Sequence, residues 1–513
     1  MAPERLAAPF GSLADLIGDH ARARPAHVAL AHGERSLDYA GLDAAMDRVA
    51  AALQREGIEP REAVTIIATS SIEYLVVFLG CLRAGVAAAV IQPSLQPATI
   101  ARMAADSGAR RAFVDSATLK AFDDAGIALA NPVMLDGSPS LEQWLGAAGA
   151  KPSAVAIEPD WPFNIIYSSG TTGDPKGIVQ PHAMRWVHVQ RGPVHDYDSA
   201  SVTLVSTPLY SNTTLVSVFP TLALGGTVVM MAKFDAGEFL ALAERHRATH
   251  TMLVPVQYQR LMAREDFGRY DLGCFRAKFS TSAPFAVALK SDVLARWPGG
   301  LTEFYGLTEG GGTCVLLAHQ DRHKLHTVGR PGPGHDIRIL DDHDHELPPG
   351  SVGEVVGRSG AMMTGYHGRP ELTAQAHWHD AQGRRYIRTG DLGRFDEDGF
   401  LVLVDRKKDM IISGGFNIYS SDLEAVVREH PAVADVSVVG VPSAQWGETP
   451  VAFVVARGGA PLEASEVLAW SNARLGKVQR LADVRLVAGL PRSPIGKVLK
   501  RELRDGYDRN PKG

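Results

Sequence analysis

Residues Tyr167–Gly177 read "YSSGTTGDPKG", and they interrupt a chain that is otherwise building core. The stretch follows the apolar run "FNII" and contains almost nothing that could pack an interior. A loop of Gly, Ser and Thr offers backbone N–H groups and hydroxyls with little steric bulk, and a lysine adds positive charge. Those are the donors that surround phosphate oxygens. The Walker pattern GxxxxGK[ST] fails here, because Pro175 stands where its second glycine would be and Lys176 is followed by Gly177. A flexible surface linker could have the same composition, although linkers do not usually sit directly behind a buried strand.

Outward from this loop, strand-like and helical patterns alternate through the first half of the chain. "EAVTIIA", "IEYLVVFLGCLRAG" and "VAAAVIQ" form one such series; "GTVVMMA", "FDAGEFLALAERHRA" and "HTMLVPV" form another. This rhythm predicts an α/β fold with helix-flanked sheets of parallel strands. Around Gly329 the texture changes to short strands and turns, "VGRPGPGHDIRIL" and "GSVGEVVGRSG", so a β-rich subdomain is expected at about 329–404. Dense charge at "VDRKKD" marks a second boundary. The expected division is a large domain over 1–404, a hinge over 405–408 and a small α+β domain over 409–513 with helices in "SDLEAVVREHP" and "ASEVLAWSNARLG".

Composition narrows the function classes. The 513 residues are too many for one ordinary core. Net charge is −5 and basic residues are scattered, so no nucleic-acid footprint is present. Cys81, Cys274 and Cys314 are far apart and form no CxxC pair, which fits a reducing cytoplasm. The N-terminal residues do not read as a signal peptide. The longest apolar tract, "YLVVFLGCLRAGVAAAVI", is broken by Arg83 and two glycines and reads as buried helix then buried strand, not a membrane span. "DDHDHELPPG" (341–350) alternates His with Asp but reads as a solvated hairpin rather than a metal site.

Further segments accompany the opening loop in a fixed order: "EFYGLTEGG" from Glu303, "YIRTGDLGRFDEDGF" from Tyr386, "DRKKDMIISGGFNIYSSDLE" from Asp405 and "PRSPIGKVLKREL" from Pro491. Together the five segments resemble the adenylate-forming superfamily of acyl- and aryl-CoA synthetases, peptide-synthetase adenylation domains and luciferases. The resemblance covers essentially the whole chain. It implies that ATP activates a carboxylic acid as acyl-AMP with loss of pyrophosphate, and that a second partner then displaces AMP. It also implies that Ser168, Ser169, Gly170, Thr171, Thr172 and Lys176 hold the β- and γ-phosphates, with Thr308 beside them. Glu309 would bind Mg²⁺, Tyr305 would lie against adenine, and Asp391 would accept from the ribose hydroxyls with Arg406 nearby. Lys497 would bridge the substrate carboxylate and the α-phosphate. Composition alone would leave it a solvated lysine among Arg492, Lys500 and Arg501. Lys408 stands at the hinge position, and Gly414 and Gly415 would admit the pantetheine arm of coenzyme A, although by themselves they read as a plain turn.

One departure matters. Most acyl-CoA relatives carry an aromatic–His pair after "PL"; here "TPLYSNTTL" keeps Tyr210 but has Ser211 in place of the histidine. The acid pocket is expected near Tyr210, Ser211, Asn212, Thr213, Val256, Gln257, Tyr258, Ser282, Ala283, Gly306, Gly310, Gly311 and Gly312. Asn212 and Gln257 could equally be bonded to backbone. The glycine run suggests room for a ring or branched chain, and the lack of an Arg/Lys cluster on these segments favours a monocarboxylate. The leading expectation is an acid–CoA ligase. The alternatives are an amide synthetase using an amine or amino acid, and a non-catalytic nucleotide-binding regulator. The chain ends without room for a carrier domain, and its oligomeric state is open between monomer and homodimer.

Overall fold

The broken apolar tract folds as its interruptions require. Ser71 accepts the Tyr74 N–H at 3.1 Å and starts helix Ile72–Arg83; Gly85, at φ +70°, turns the chain into strand Ala87–Val90. The helix is buried almost all round, and Arg83 ends it by pairing with Asp43 at 2.6 Å and Asp47 at 2.7 Å. Both acids lie on helix Tyr39–Arg55, whose N-cap Asp38 accepts from Gly41 N at 2.7 Å. The two helices cross at Gly80, where an added Cβ would lie 2.4 Å from the Val49 Cβ.

The computed structural model describes residues 2–129, 131–137, 140–168, 176–414, 416–458, 462–493 and 496–509. The chain divides into two units. The first comprises Met1–Leu325, Gly332–Asp336 and Gly357–Ile387; the second comprises His326–Pro331, Ile337–Val356 and Arg388–Gly513.

In the first unit, one sheet runs in the order Gly365–Tyr366, Lys176–Pro181, Pro162–Ser168, Ala87–Val90, Ala63–Ile67, Ala112–Val114, Pro132–Met134. Its last five strands are parallel, and its first three are joined antiparallel. Parallel strands covered on both faces read as unbroken apolar runs, which is why "AVTII" and "AAAV" show no alternation. A second sheet runs through Cys314–Leu317, Gly300–Tyr305, Ala277–Ser280, His250–Leu253, Val202–Val205, Thr227–Met230, Val28–His32 and Arg35–Asp38. Inside it Lys290 and Glu303 form a buried ion pair, and Lys278 donates to the carbonyls of Trp297, Pro298 and Gly299.

In the second unit, antiparallel strands Arg385–Phe395 and Leu401–Arg406 place Asp391 opposite Arg406. The chain then turns at Lys407, whose N–H donates to the Gly390 carbonyl at 2.9 Å. The long hairpin Val433–Ser443 and Gly447–Ala456 follows, with Ile411–Ser413, Phe416–Ile418 and Asp483–Leu486 on its sheet. Leu423, Val427, Val436, Val438, Val454, Val467 and Val484 form its core. The segment "DDHDHE" is a turn in which the Asp341 carboxylate accepts the amides of His343 and His345, each at 2.8 Å. Among the described residues, no helix is long and apolar enough to cross a membrane.

Gly80→Ala overpacks the helix crossing and is expected to cost about 1–3 kcal/mol, lowering the first urea-unfolding midpoint. Gly506→Ala, on a terminal helix with nothing within 4 Å, leaves that midpoint unchanged or raises it.

Candidate functional site

In the first unit the site is built on the hairpin Pro162–Ser168 and Lys176–Pro181, whose register pairs Ser168 with Lys176 at the mouth. Ser169, Gly170, Thr171 and Thr172 lie outside the described residues, and of Ser168 only the backbone is described. Tyr167 donates to one oxygen of Asp106 at 2.9 Å while Arg369 donates to the other at 2.8 Å, fixing one side of the mouth. On the other side the Lys176 ammonium lies 5.3 Å from the centre of the Tyr366 ring, and the Tyr366 hydroxyl donates to Glu309 Oε1 at 3.0 Å. Burial, and then Glu309, pushes the Tyr366 hydroxyl pKa up, so it remains a donor.

The Thr308–Glu309 turn is pinned from two directions. Gln180 Nε2 donates to the Thr308 carbonyl at 2.6 Å, and Met363 N donates to the Glu309 carbonyl at 2.8 Å. Gln180 belongs to a buried network that sequence reasoning missed. Its Oε1 accepts from Arg185, whose Nε and Nη2 each lie 3.2 Å from Asn164 Oδ1. Arg185 is 2% exposed and its guanidinium lies over the edge-to-face pair Phe163 and Phe219; burial drives it down to about 9. The available signal was three polar residues in apolar settings: Asn164 in "FNII", Gln180 in "GIVQP" and Arg185 in "AMRWV".

The pocket candidates divide by what their polar atoms already do. Tyr210 and Ser211 are half-buried; burial moves the Tyr210 hydroxyl up to about 12, and Ser211 makes no capping bond to helix Asn212–Ala223. Asn212 Oδ1 lies 3.4 Å from Gln180 Nε2, and Thr213 Oγ1 lies 2.7 Å from Ser282 Oγ. Ser282 holds φ +81°, a conformation a non-glycine residue adopts at a cost. Val256 and Ala283 are half-buried. Gln257 accepts from Val254 N at 3.1 Å and donates to the Ser206 carbonyl at 3.3 Å, and the fully buried Tyr258 donates to the Phe279 carbonyl at 2.9 Å. Both therefore serve the local framework. Tyr305 ends strand Gly300–Tyr305, and Gly306 follows, exposed.

The three-glycine run, expected to make room for a ring or branched chain, makes room first for the protein's own backbone. Gly310 and Gly311 hold φ +79° and +92°, and a Cβ on them would lie 2.1 Å from the Ala361 carbonyl oxygen and 2.8 Å from that of Gly357. A Cβ on Gly357 would in turn lie 2.3 Å from Gly312 N.

In the second unit five charged residues converge: Asp391, Arg406, Lys408, Asp409 and Lys497. Arg406 Nε donates to Asp391 Oδ1 at 3.0 Å, and Asp391 is 7% exposed. Lys497 follows Gly496, at φ +78°, on a turn in which Ser493 N donates to the Lys497 carbonyl at 2.8 Å. Burial lowers the Lys497 ammonium to about 8; Arg406 and Lys408 push the same way, against Asp391 and Asp409. Lys408 is lowered for the same first reason. Elsewhere in this unit Gly414 turns at φ +57°, with Ile412, Phe416 and Trp446 exposed around it; Gly415 lies outside the described residues.

Comparison with known proteins gives two family matches: "AMP-binding enzyme" over residues 17–367 and "AMP-binding enzyme C-terminal domain" over residues 422–497. The chain is 33% identical to an indoleacetate–CoA ligase of Aromatoleum aromaticum, covering 96% of this chain and 97% of that one. Its structure superposes with TM-score 0.87 on ATP-bound MatB from Rhodopseudomonas palustris, at 28% identity over 97% of this chain and 100% of the other. It superposes with TM-score 0.84 on the amide bond synthetase McbA from Marinactinospora thermotolerans, at 28% identity over 96% and 99%.

Gly310→Ala is expected to unfold at a clearly lower temperature than Gly334→Ala. Both glycines have positive φ, but a Cβ at 334 meets nothing within 4 Å. Equal losses would mean that backbone conformation alone, about 1 kcal/mol, accounts for Gly310.

Proposed function

The chain belongs to the AMP-binding enzyme family and is an ATP-dependent, AMP-forming acid ligase; from that premise we propose that it converts a carboxylic acid to its acyl-AMP and passes the acyl group to coenzyme A. The observation that carries this reading is Lys497, a half-buried lysine whose ammonium burial lowers and which feels the charges of Arg406, Asp391 and Lys408.

A carboxylate attacking the α-phosphate of ATP brings an anion to a polyanion, so the barrier is largely electrostatic. In the proposed assignment Lys176 and the loop 168–172 hold the β- and γ-phosphates. Tyr305 lies against adenine, and Asp391, kept in place by Arg406, accepts from the ribose hydroxyls. Lys497 stabilises the charge that develops between carboxylate and α-phosphate. Glu309 suits Mg²⁺, because a carboxylate whose one oxygen is held by Tyr366 offers a hard, fixed donor to an ion otherwise bound by phosphate and water. The ion would neutralise phosphate charge, while Thr308 and Gln180 keep the turn at its post. Lys408 is assigned the hinge, and Gly414 and Gly415 the passage for a thin thiol arm; the exposed Ile412, Phe416 and Trp446 support a surface that something covers during the cycle.

A second reading, transfer to an amine, is favoured by Ser211 in the place where thiol-using relatives keep a histidine, and by the likeness to an amide bond synthetase. Product mass with CoA alone and with amines alone separates the two. Amide formed without CoA at comparable rate would replace the first reading.

Lys497→Ala is expected to slow acid-dependent pyrophosphate release by about a hundredfold to a thousandfold while leaving transfer from supplied acyl-AMP nearly intact. Equal loss in both steps would remove Lys497 from this role. The lowered lysine fixes the sign of the pH effect: it is charged below about 8 and neutral above. The kcat/KM for acid activation is therefore expected to fall as pH rises through about 8, a limb that Lys497→Arg abolishes.

A further inference from the structure

The buried network around Gln180 fixes the direction of an amide in the pocket expected for the acid. An amide side chain presents an oxygen on one side and an N–H₂ on the other, and its neighbours decide which way it lies. Arg185, on helix His182–Gln190, settles that choice, because a guanidinium donates and never accepts. It donates to Gln180 Oε1, on strand Lys176–Pro181, so Gln180 Nε2 points the other way. There Nε2 meets two acceptors, the Thr308 carbonyl at 2.6 Å and Asn212 Oδ1 at 3.4 Å. Turning Gln180 over would set its oxygen against the Thr308 carbonyl and its N–H₂ against the guanidinium. Arg185 imposes the same order on Asn164 at a visible cost: Oδ1 accepts two of its N–H groups, and Nδ2 is left buried with no partner. Gln180 and Asn164 are both fully buried, so solvent does not relax the choice.

Asn212 stands at the end of this relay, half-buried, as the first residue of helix Asn212–Ala223. With Oδ1 turned to Gln180, its Nδ2 faces away and has no hydrogen-bond partner among the described residues. The nitrogen that orients Asn212 also holds the Thr308 carbonyl, in the turn assigned to the phosphates and Mg²⁺. Asn212 therefore belongs to the end of the acid pocket next to the phosphates, where the carboxylate must meet ATP. A carboxylate only accepts hydrogen bonds, so an N–H₂ presented there binds it, whereas an amide oxygen would repel it.

We propose that Asn212 donates through Nδ2 to the carboxylate being activated, and that Arg185 and Gln180 are positioning residues that hold the Asn212 amide in that direction. This rests on the acid-activation reading. The test uses matched acids in a hydroxylamine-trapped activation assay: benzoate with para-hydroxybenzoate, phenylacetate with para-hydroxyphenylacetate, and octanoate with omega-hydroxyoctanoate. Asn212→Ala is expected to raise KM for the acid by about tenfold to a hundredfold, the range for a hydrogen bond to a charged group, and to leave KM for ATP unchanged. Asn212→Asp keeps the shape but loses the donor, and should be worse than Asn212→Ala. A packing role would make Asp the milder change, and that order would overturn the proposal. Both members of a pair should suffer equally; a loss confined to the hydroxylated member would place the donor at the remote oxygen and overturn it as well. Gln180→Met should raise KM for both acid and ATP, but in the Asn212→Ala background only that for ATP. Additive acid losses would overturn the relay. If Gln180→Met folds poorly, the two Asn212 variants still decide the proposal. No activation of any carboxylic acid would remove the parent reading and this one with it.

Discussion

Positive charge held out of water is the constraint on which both units depend. Lys497 in the second unit, and Arg185, Arg191 and Lys278 in the first, are all lowered by burial before any other cause. A buried cation must be hydrogen-bonded, paired or left for a ligand to neutralise. Lys278 takes the first course, on three carbonyls. Lys290 takes the second, with Glu303. Lys497 takes the third in the proposed assignment: it waits for an anionic reactant, and the cost of holding it returns as binding where charge develops.

Arg185 shows how such a charge can organise a site it does not enter. Lying against two touching phenylalanine rings, it orders the amides of Asn164 and Gln180, and Gln180 hands that order to the Thr308 carbonyl. Glu309, one residue on, is held by Tyr366, and the strand carrying Tyr366 pairs with the strand that begins at Lys176. Lys176, Glu309 and Tyr366 are thus fastened to one another through neighbouring strands. Precision of this kind is what an electrostatic catalyst needs, because a fixed dipole or charge requires no reorganisation when the reaction occurs.

Much of the fold was legible in the sequence. Buried parallel strands write themselves as apolar runs, Ser71 announces a helix start, and Gly85 announces its end. The expected roles of Lys176, Glu309, Asp391 and Lys497 came from the resemblance of the ordered segments to a family, not from local composition, which would have left Lys497 a solvated lysine. Gln257 and Tyr258 bond neighbouring backbone, and in one dimension a side chain with such a partner looks the same as one that meets a ligand. Tyr366 and Gln180 went unnoticed because their partners lie 57 and 128 positions away.

By itself the sequence determined the helix-flanked α/β architecture, which periodicity and composition carry, and the membership of the AMP-binding enzyme family, which the resemblance of five ordered segments carries. Only the tertiary structure decided why Gly310 and Gly311 must be glycine and which polar side chains bond the protein's own backbone. Those facts depend on distances between segments remote in the chain, and on burial, which has no meaning until the chain has folded.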